Sequence, residues 1–233
     1  MLETVPAVHK IFARISGTYE LVNHLLTFGL DRYWRRRAAR CAVQPGVASC
    51  LDVCTGTGEM AVSVRRAGRG RVAVAAVDFC EPMIRAAARK YESLDIAFQL
   101  AKADMLPFPD NRFDLLTISF AVRNLNLTRD NLNACLVEFR RVLRTGGRLV
   151  AVETTQPPVS AIRRLLHFYA RYVVPRIGAV FSGSGPAYAY LSNTIPRFYS
   201  APELAEIMRD AGFTQVQYRY LSFGIVAIHE AVK

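Results

Sequence analysis

The chain has 233 residues, 52% of them hydrophobic, and carries 30 Lys and Arg against 19 Asp and Glu, for a net charge of +11. That length and apolar content bury one sizeable core, so a single domain, 1–233, is expected. The longest uncharged stretch, residues 177–196, is broken by Gly178, Gly183, Gly185, Pro186 and Asn193, which excludes a spanning helix of about 20 apolar residues. Arginine runs such as DRYWRRRAAR (31–40) and FRRVLRTGGR (139–148) favour anionic partners, nucleic acid or an anionic membrane face, or simply solvate helix faces. The start, MLETVPAVHKIF, carries an acid early and lacks the apolar core of a secretory leader, so a cytoplasmic location is expected. Cys41, Cys50, Cys54, Cys80 and Cys135 form no C-x-x-C pair and no cluster with the four histidines. They read as reduced packing thiols, and no metal site is expected.

Residues 8–40 read as helical, with Ile11, Ile15, Leu21, Leu25 and Leu26 as apolar positions and a break around residues 27–29. VASCLDVC (47–54) is a short apolar run bounded by turn residues, hence a buried strand, and GEMAVSVRRAG (58–68) follows as a helix. RVAVAAVDF (71–79) is a second strand, EPMIRAAARKY (81–91) a helix with Pro82 in its first turn, and IAFQLAKAD (96–104) a third strand. RFDLLTISFAV (112–122) is a fourth, NLNACLVEFRRVL (131–143) a helix closed by Gly146 and Gly147, and RLVAVETT (148–155) a fifth. Strand and helix alternate from 47 to 155, the signature of a parallel, doubly wound sheet. The aromatic and arginine-rich residues 157–199 look like a lid insertion. SAPELAEIMRDAGF (200–213) then starts on a serine N-cap and Pro202, and two β-type segments close the chain. The division expected is a helical cap at 1–44, a cofactor-binding core at 45–156, the lid, and a C-terminal helix with strands at 200–233.

Gly56, Gly58 and Ala61 satisfy the loose dinucleotide pattern G-x-G-x-x-G/A, a weak signal by itself. In an open α/β sheet ligands sit at the carboxyl ends of the strands, here Asp52 with the loop 54–59, Asp78, the segment 102–104 and the segment 119–124. Asp52 and Glu59 flank the glycine turn and oppose a pyrophosphate, whereas a ligand with an amino group and no phosphate would welcome them. Asp78 stands 20 residues beyond Gly58, where an acid accepts the ribose hydroxyls of adenosine. The chain after the fifth strand is also short for a dehydrogenase substrate domain. S-adenosylmethionine is therefore favoured over NAD.

YELVNHLLTFGLDRYWRR (19–36), LDVCTGTGE (51–59), LPFPDNRFDLLTISFAVRN (106–124), RVLRTGGRLVAVETTQP (141–157), VVPRIG (173–178) and LSFGIVAIHEA (221–231) carry a wider likeness. Along nearly its whole length the chain resembles the UbiE/COQ5 group of class I methyltransferases, the C-methylases of ubiquinone and menaquinone biosynthesis. The resemblance implies an α/β Rossmann-like fold, a mostly parallel seven-stranded sheet with helices on both faces. It implies that Gly56, Thr57 and Gly58, with Asp52, hold the cofactor, that Asp78 takes the ribose, that Lys102 and Ala103 lie beside the adenine, and that Ser119 lies near the sulfonium. Lys102 stands where the family usually has Asp or Asn, which passes the adenine contact to the backbone or to Asp104. Glu20, Asp31 and the pair Arg144 and Thr145 also depart from the family pattern.

The substrate so implied is a polyprenyl hydroquinone, demethylmenaquinol with a ubiquinone precursor as the near alternative. Ring methylation needs near-attack positioning and a group that stabilises the phenolate. Arg123 is assigned to holding the phenolate or a water that takes its proton, Asn124 to orienting the ring hydroxyl, and Tyr19 is a further polar candidate. A salt bridge that pins the lid is the plainer role for Arg123, and core packing for Tyr19. The base stays open among Glu20, His24, Asp31, Asp104 and His167. Residues 162–181 alternate arginine with aromatic and aliphatic side chains, as a surface meeting a bilayer or a greasy ligand would. Peripheral membrane association and a homodimer, common in this family, are the partners this allows. Another small-molecule acceptor and RNA are the rivals, and dispersed arginines with no RNA module speak against RNA.

Overall fold

The computed structural model describes residues 17–126, 128–182 and 185–233; the helix expected over 8–16 lies outside them. Two helices lead, α1 (Tyr19–Leu26) and α2 (Leu30–Ala42), parted where Phe28 (φ 53°) and Gly29 (φ 75°) take left-handed backbone. The sheet strands are β1 (Ser49–Val53), β2 (Ala73–Asp78), β3 (Ile96–Leu100), β4 (Phe113–Ser119), β5 (Leu143–Thr154), β6 (Thr214–Leu221) and β7 (Val226–Val232). Their spatial order is β3-β2-β1-β4-β5-β7-β6, parallel except that β7 runs against both β5 and β6. Helices α3 (Glu59–Ala67), α4 (Glu81–Lys90), α5 (Val122–Leu125), α6 (Arg129–Val142) and α10 (Ala201–Asp210) connect and cover the strands. Between them in sequence lie the lid helices α7 (Ser160–Phe168), α8 (Val174–Ser182) and α9 (Gly185–Thr194).

The apolar strands are continuous because both faces are covered. Leu132, Leu136, Phe139, Leu204 and Met208 pack on Leu51, Val53, Leu116 and Ile118 on one side. Trp34, Ala38, Met60 and Val64 pack on Cys50, Val74, Leu115 and Val150 on the other. Each fully buried large side chain contributes about 1.5–3 kcal/mol. A third cluster, Val22, Cys80, Met83, Val174 and Tyr188, ties the lid to α1 and α4. Helix α8 meets α9 closely at Gly178, where an added Cβ would come within 2.0 Å of the Tyr188 ring. No helix of the described residues is long and apolar enough to cross a membrane.

Two elements differ from expectation. Gly146 and Gly147 do not close α6, because Leu143 already has extended backbone and pairs with Phe113. The register then slips before Arg148 pairs with Leu115, and the glycines fill that irregularity, Gly146 at φ 74°. The third strand stops at Leu100, and residues 102–105 turn through a single Lys102–Met105 bridge toward the strand ends.

Candidate functional site

The strand order reverses between β1 and β4, and a cavity of about 230 Å³ opens at the carboxyl ends of β1–β4. Its wall includes Gly56 and Thr57 after β1, Asp78 at the end of β2, Lys102, Ala103 and Asp104 after β3, and Ser119 with Asn124 at and beyond β4. Cys54 (φ 54°) and Phe120 (φ 55°), each just past a central strand, hold left-handed backbone on this wall, where strained residues tend to gather. Asp78 accepts the Gly56 N–H at 2.8 Å and the Cys80 N–H at 2.9 Å, so it shapes the glycine loop as well as facing the cavity.

Two residues expected on the cofactor lie behind this wall. Asp52 is fully buried, accepting Thr55 Oγ1 at 2.5 Å and Thr117 Oγ1 at 2.7 Å. Burial pushes its carboxyl up to about 6 even though both hydroxyls favour the charged form. Gly58 is the αL residue before α3, and a Cβ there would meet Phe98 at 3.1 Å and Ala87 at 3.2 Å, so the turn packs closely against both. Both brace the loop from below.

A second cavity, about 450 Å³, adjoins the first and is lined by Leu26, Phe28, Leu30, Trp34, Ile162, Leu165 and Leu166. Polar side chains gather on its wall: Tyr19, Arg35, Arg123 and Thr154. Tyr19, Arg35 and Phe120 line both cavities. Burial raises the Tyr19 phenol above its ordinary value, while Arg35 and Arg123 pull it back. Arg123 donates from Nη1 to Thr154 Oγ1 at 2.7 Å and to Glu153 Oε1 at 3.3 Å, and its backbone N–H donates to Glu153 Oε2 at 3.2 Å. Its Nε is buried without a hydrogen-bond partner. Asn124, expected to orient the ring hydroxyl, lines the first cavity and not the second, and its Oδ1 is buried and unpartnered.

The acidic residues of α1 and α2 form one network with Glu59 of α3. His24 Nδ1 lies 2.8 Å from Asp31, and its Nε2 lies 3.3 Å from both Glu20 and Glu59. Arg35 Nη1 lies 2.6 Å from Asp31 and 3.1 Å from Glu59. Burial alone would raise Asp31, but Arg35, His24 and Thr27 outweigh it and hold its carboxyl below the usual value. Glu59 is raised, chiefly by burial, with Arg35 opposing. Glu20, His24 and Glu59 bring three ligand-type atoms within 4.8 Å, yet Lys90, Arg32 and Arg35 already engage them. Of the five candidate bases, Asp31 alone lines the second cavity; Asp104 lines the first, and His167 bonds Gln156 at 2.8 Å.

Arg35, Phe120 and Glu153 escaped sequence reasoning. A signal for Arg35 was present: Asp31, Trp34, Arg35, Ala38 and Ala39 recur at i, i+3, i+4, i+7 and i+8, and all five are buried, while Arg32, Arg36 and Arg37 are exposed. An arginine on the apolar stripe of a helix is aimed inward.

The first cavity suits an adenosyl cofactor with an amino-acid end. Asp78 can accept a diol, Glu59 an ammonium, and the orphaned Asn124 Oδ1 asks for a donor. Comparison with known proteins agrees. The sequence profile of the ubiE/COQ5 methyltransferase family matches residues 2–233. A ubiquinone/menaquinone biosynthesis C-methyltransferase UbiE of Desulfotalea psychrophila is 37% identical over 233 residues, covering 100% of this chain and 93% of that one. A demethylmenaquinone methyltransferase of Thermus thermophilus is 40% identical over 221 residues, covering 94% and 98%. Among solved structures, SAM-dependent methyltransferases of Thermotoga maritima (20% identity, TM-score 0.68, 97% and 99% covered) and Aquifex aeolicus (20%, 0.58, 79% and 81%) share the fold. On the profile and the two curated relatives, the chain belongs to the ubiE/COQ5 methyltransferase family of S-adenosylmethionine-dependent enzymes.

Proposed function

We propose that the chain methylates a ring carbon of a polyprenyl hydroquinone, with demethylmenaquinol as the first substrate to test and a ubiquinone precursor as the second. The observation that carries this reading is the apolar second cavity, which shares Tyr19, Arg35 and Phe120 with the cofactor cavity and has Arg123 on its wall. The bound cofactor supplies an electrophilic methyl group on its sulfonium. Gly56, Thr57, Asp78, Lys102, Ala103, Asp104 and Ser119, all on the first wall, are the residues proposed to bind it. A quinol hydroxyl that loses its proton leaves an oxyanion, and Arg123 offers an unpartnered, buried Nε to receive it. Glu153 and Thr154 fix the guanidinium so that little reorganisation accompanies the reaction. Tyr19 adds a phenol at the junction. The lid residues Ile162, Leu165 and Leu166 wall off water and hold the start of an isoprenoid tail.

Exposed Leu165, Phe168, Val180 and Phe181 beside Arg163, Arg164, Arg171 and Arg176 support peripheral contact with an anionic membrane surface, from which so apolar a substrate would be drawn.

The test is methyl transfer from labelled S-adenosylmethionine to short-chain demethylmenaquinol, to a ubiquinone precursor and to RNA, with each quinone supplied reduced and oxidised. Label is expected in the reduced quinol alone. Label in RNA and in none of the quinols would overturn the reading. Arg123→Lys, which keeps a cation for Glu153 but loses the Nε donor, should lower turnover by about 100-fold with cofactor affinity little changed.

A further inference from the structure

The amino-acid end of the cofactor carries a carboxylate, and a carboxylate taken into a largely buried site needs a paired cation. Among the described residues the first cavity wall offers two, Arg35 and Lys102. They stand at opposite ends. Lys102 follows β3 and is exposed, while Arg35 lies against Ser119 and Phe120 at the end of β4, three strand positions away, or about 14 Å at the usual strand spacing. Asp78, at the end of β2 next to β3, places the ribose toward the Lys102 end. The amino-acid end of the ligand is thereby left for Arg35.

The state of the Arg35 side chain fits that task. It is 6% exposed, its guanidinium sits 5.0 Å from the Phe120 ring centroid, and its Nε donates to Ser119 Oγ at 3.4 Å. Nη1 is shared by Asp31 and Glu59. Nη2 has no hydrogen bond among the described residues, although a guanidinium has five N–H groups to satisfy. The adjacent cation and anion of Arg35 and Glu59, 3.1 Å apart, mirror the adjacent ammonium and carboxylate of an α-amino acid. In the absence of ligand each charge is compensated by the other, so the pair is preorganised. Asp31 and His24, neither of them on the first cavity wall, hold the pair in place.

We propose that Arg35 anchors the α-carboxylate of the cofactor through its free Nη2 edge, with Glu59 beside it receiving the α-ammonium. The proposal rests on S-adenosylmethionine being the donor. It makes Arg35 a cofactor-binding residue that also borders the acceptor cavity, so the same side chain sets the cofactor's register against the incoming ring.

The experiment compares two ligands by isothermal titration calorimetry, S-adenosylmethionine and its decarboxylated analogue, which keeps adenosine, sulfonium and ammonium. Wild-type protein should bind the analogue about 10- to 100-fold more weakly, the range of a charge-assisted hydrogen bond. Arg35→Gln should weaken S-adenosylmethionine by a similar factor and leave the analogue within about twofold, since the lost partner is absent from it. Equal losses for both ligands would overturn the proposal and make Arg35 a strut of α2. Equal wild-type affinity for both ligands would also overturn it. Wild-type protein that binds neither would instead sink the donor assignment. Should Arg35→Gln fail to give a native circular dichroism spectrum, Arg35→Lys decides, with a loss confined to S-adenosylmethionine expected and a shared loss or no loss refuting.

Discussion

Asp52→Asn removes a buried charge while keeping the shape of the side chain, and the structure sets the size of the effect. Asp52 is wholly inaccessible, and burial lifts its carboxyl from the ordinary 3.8 to about 6. At about 1.4 kcal/mol per tenfold, that gap costs the fold about 3 kcal/mol once the group is ionised in both states. The sign follows from proton binding: the native protein holds its proton more tightly than the unfolded chain, so this contribution is present in full below pH 3.8 and is lost as pH rises through about 6. Between pH 5 and pH 8 the wild type loses about 1 kcal/mol through this group, and the Asn variant loses none. Thr117 can still donate to the amide oxygen, and the Thr55 hydroxyl can rotate to accept from the amide nitrogen. Urea unfolding of both proteins at the two pH values measures the difference, and every other titrating group cancels. The stability of the variant relative to wild type should rise by about 1 kcal/mol from pH 5 to pH 8. A relative stability that stays constant, or moves against the variant, would refute the argument that Asp52 is a desolvated acid.

Acid should act through a different residue. His229 is buried in β7 with its Nε2 2.9 Å from the Ala201 carbonyl, and burial holds its pKa down to about 4. Its stabilisation is present above pH 6.5 and lost as pH falls toward 4, about 3 kcal/mol in all, so His229→Gln should shift the acid-unfolding midpoint to lower pH. An unchanged midpoint would show that the histidine is not held neutral. Gly178→Ala places a methyl within 2.0 Å of Tyr188 and should cost about 1–3 kcal/mol by overpacking, read as a lower Tm. A Tm equal to or above wild type would mean that α8 and α9 can part freely.

Local patterns announced the sheet and the glycine loop. The fully buried SCLDV strand, the turn at Gly56, and Asp78 at the end of its strand depend on neighbours in sequence, and all three stand where periodicity puts them. The acids flanking the turn were read for the right cofactor on partly misplaced grounds. Asp52 does not line the cavity, and Glu59 is compensated by Arg35, so the acids on the cavity wall are Asp78 and Asp104 along with Glu59. What escaped is tertiary. The partnership of Arg123 with Glu153 joins residues 30 apart across β4 and β5, and nothing near either residue signals it. Arg35 hid in an arginine run whose other members are solvated, and its inward direction emerges only when the helix is read by face.

The two adjoining cavities are built from different parts of the chain. The first cavity rests largely on strand ends and their loops, which the core of the sheet holds in register, whereas much of the second is made by α1, α2 and the first lid helix. Ile162, Leu165 and Leu166 touch the second cavity and not the first. With the second cavity proposed to take the acceptor, selection can reshape what is methylated through residues that leave the first cavity and the sheet untouched, with the shared trio Tyr19, Arg35 and Phe120 as the hinge at which the two histories must agree.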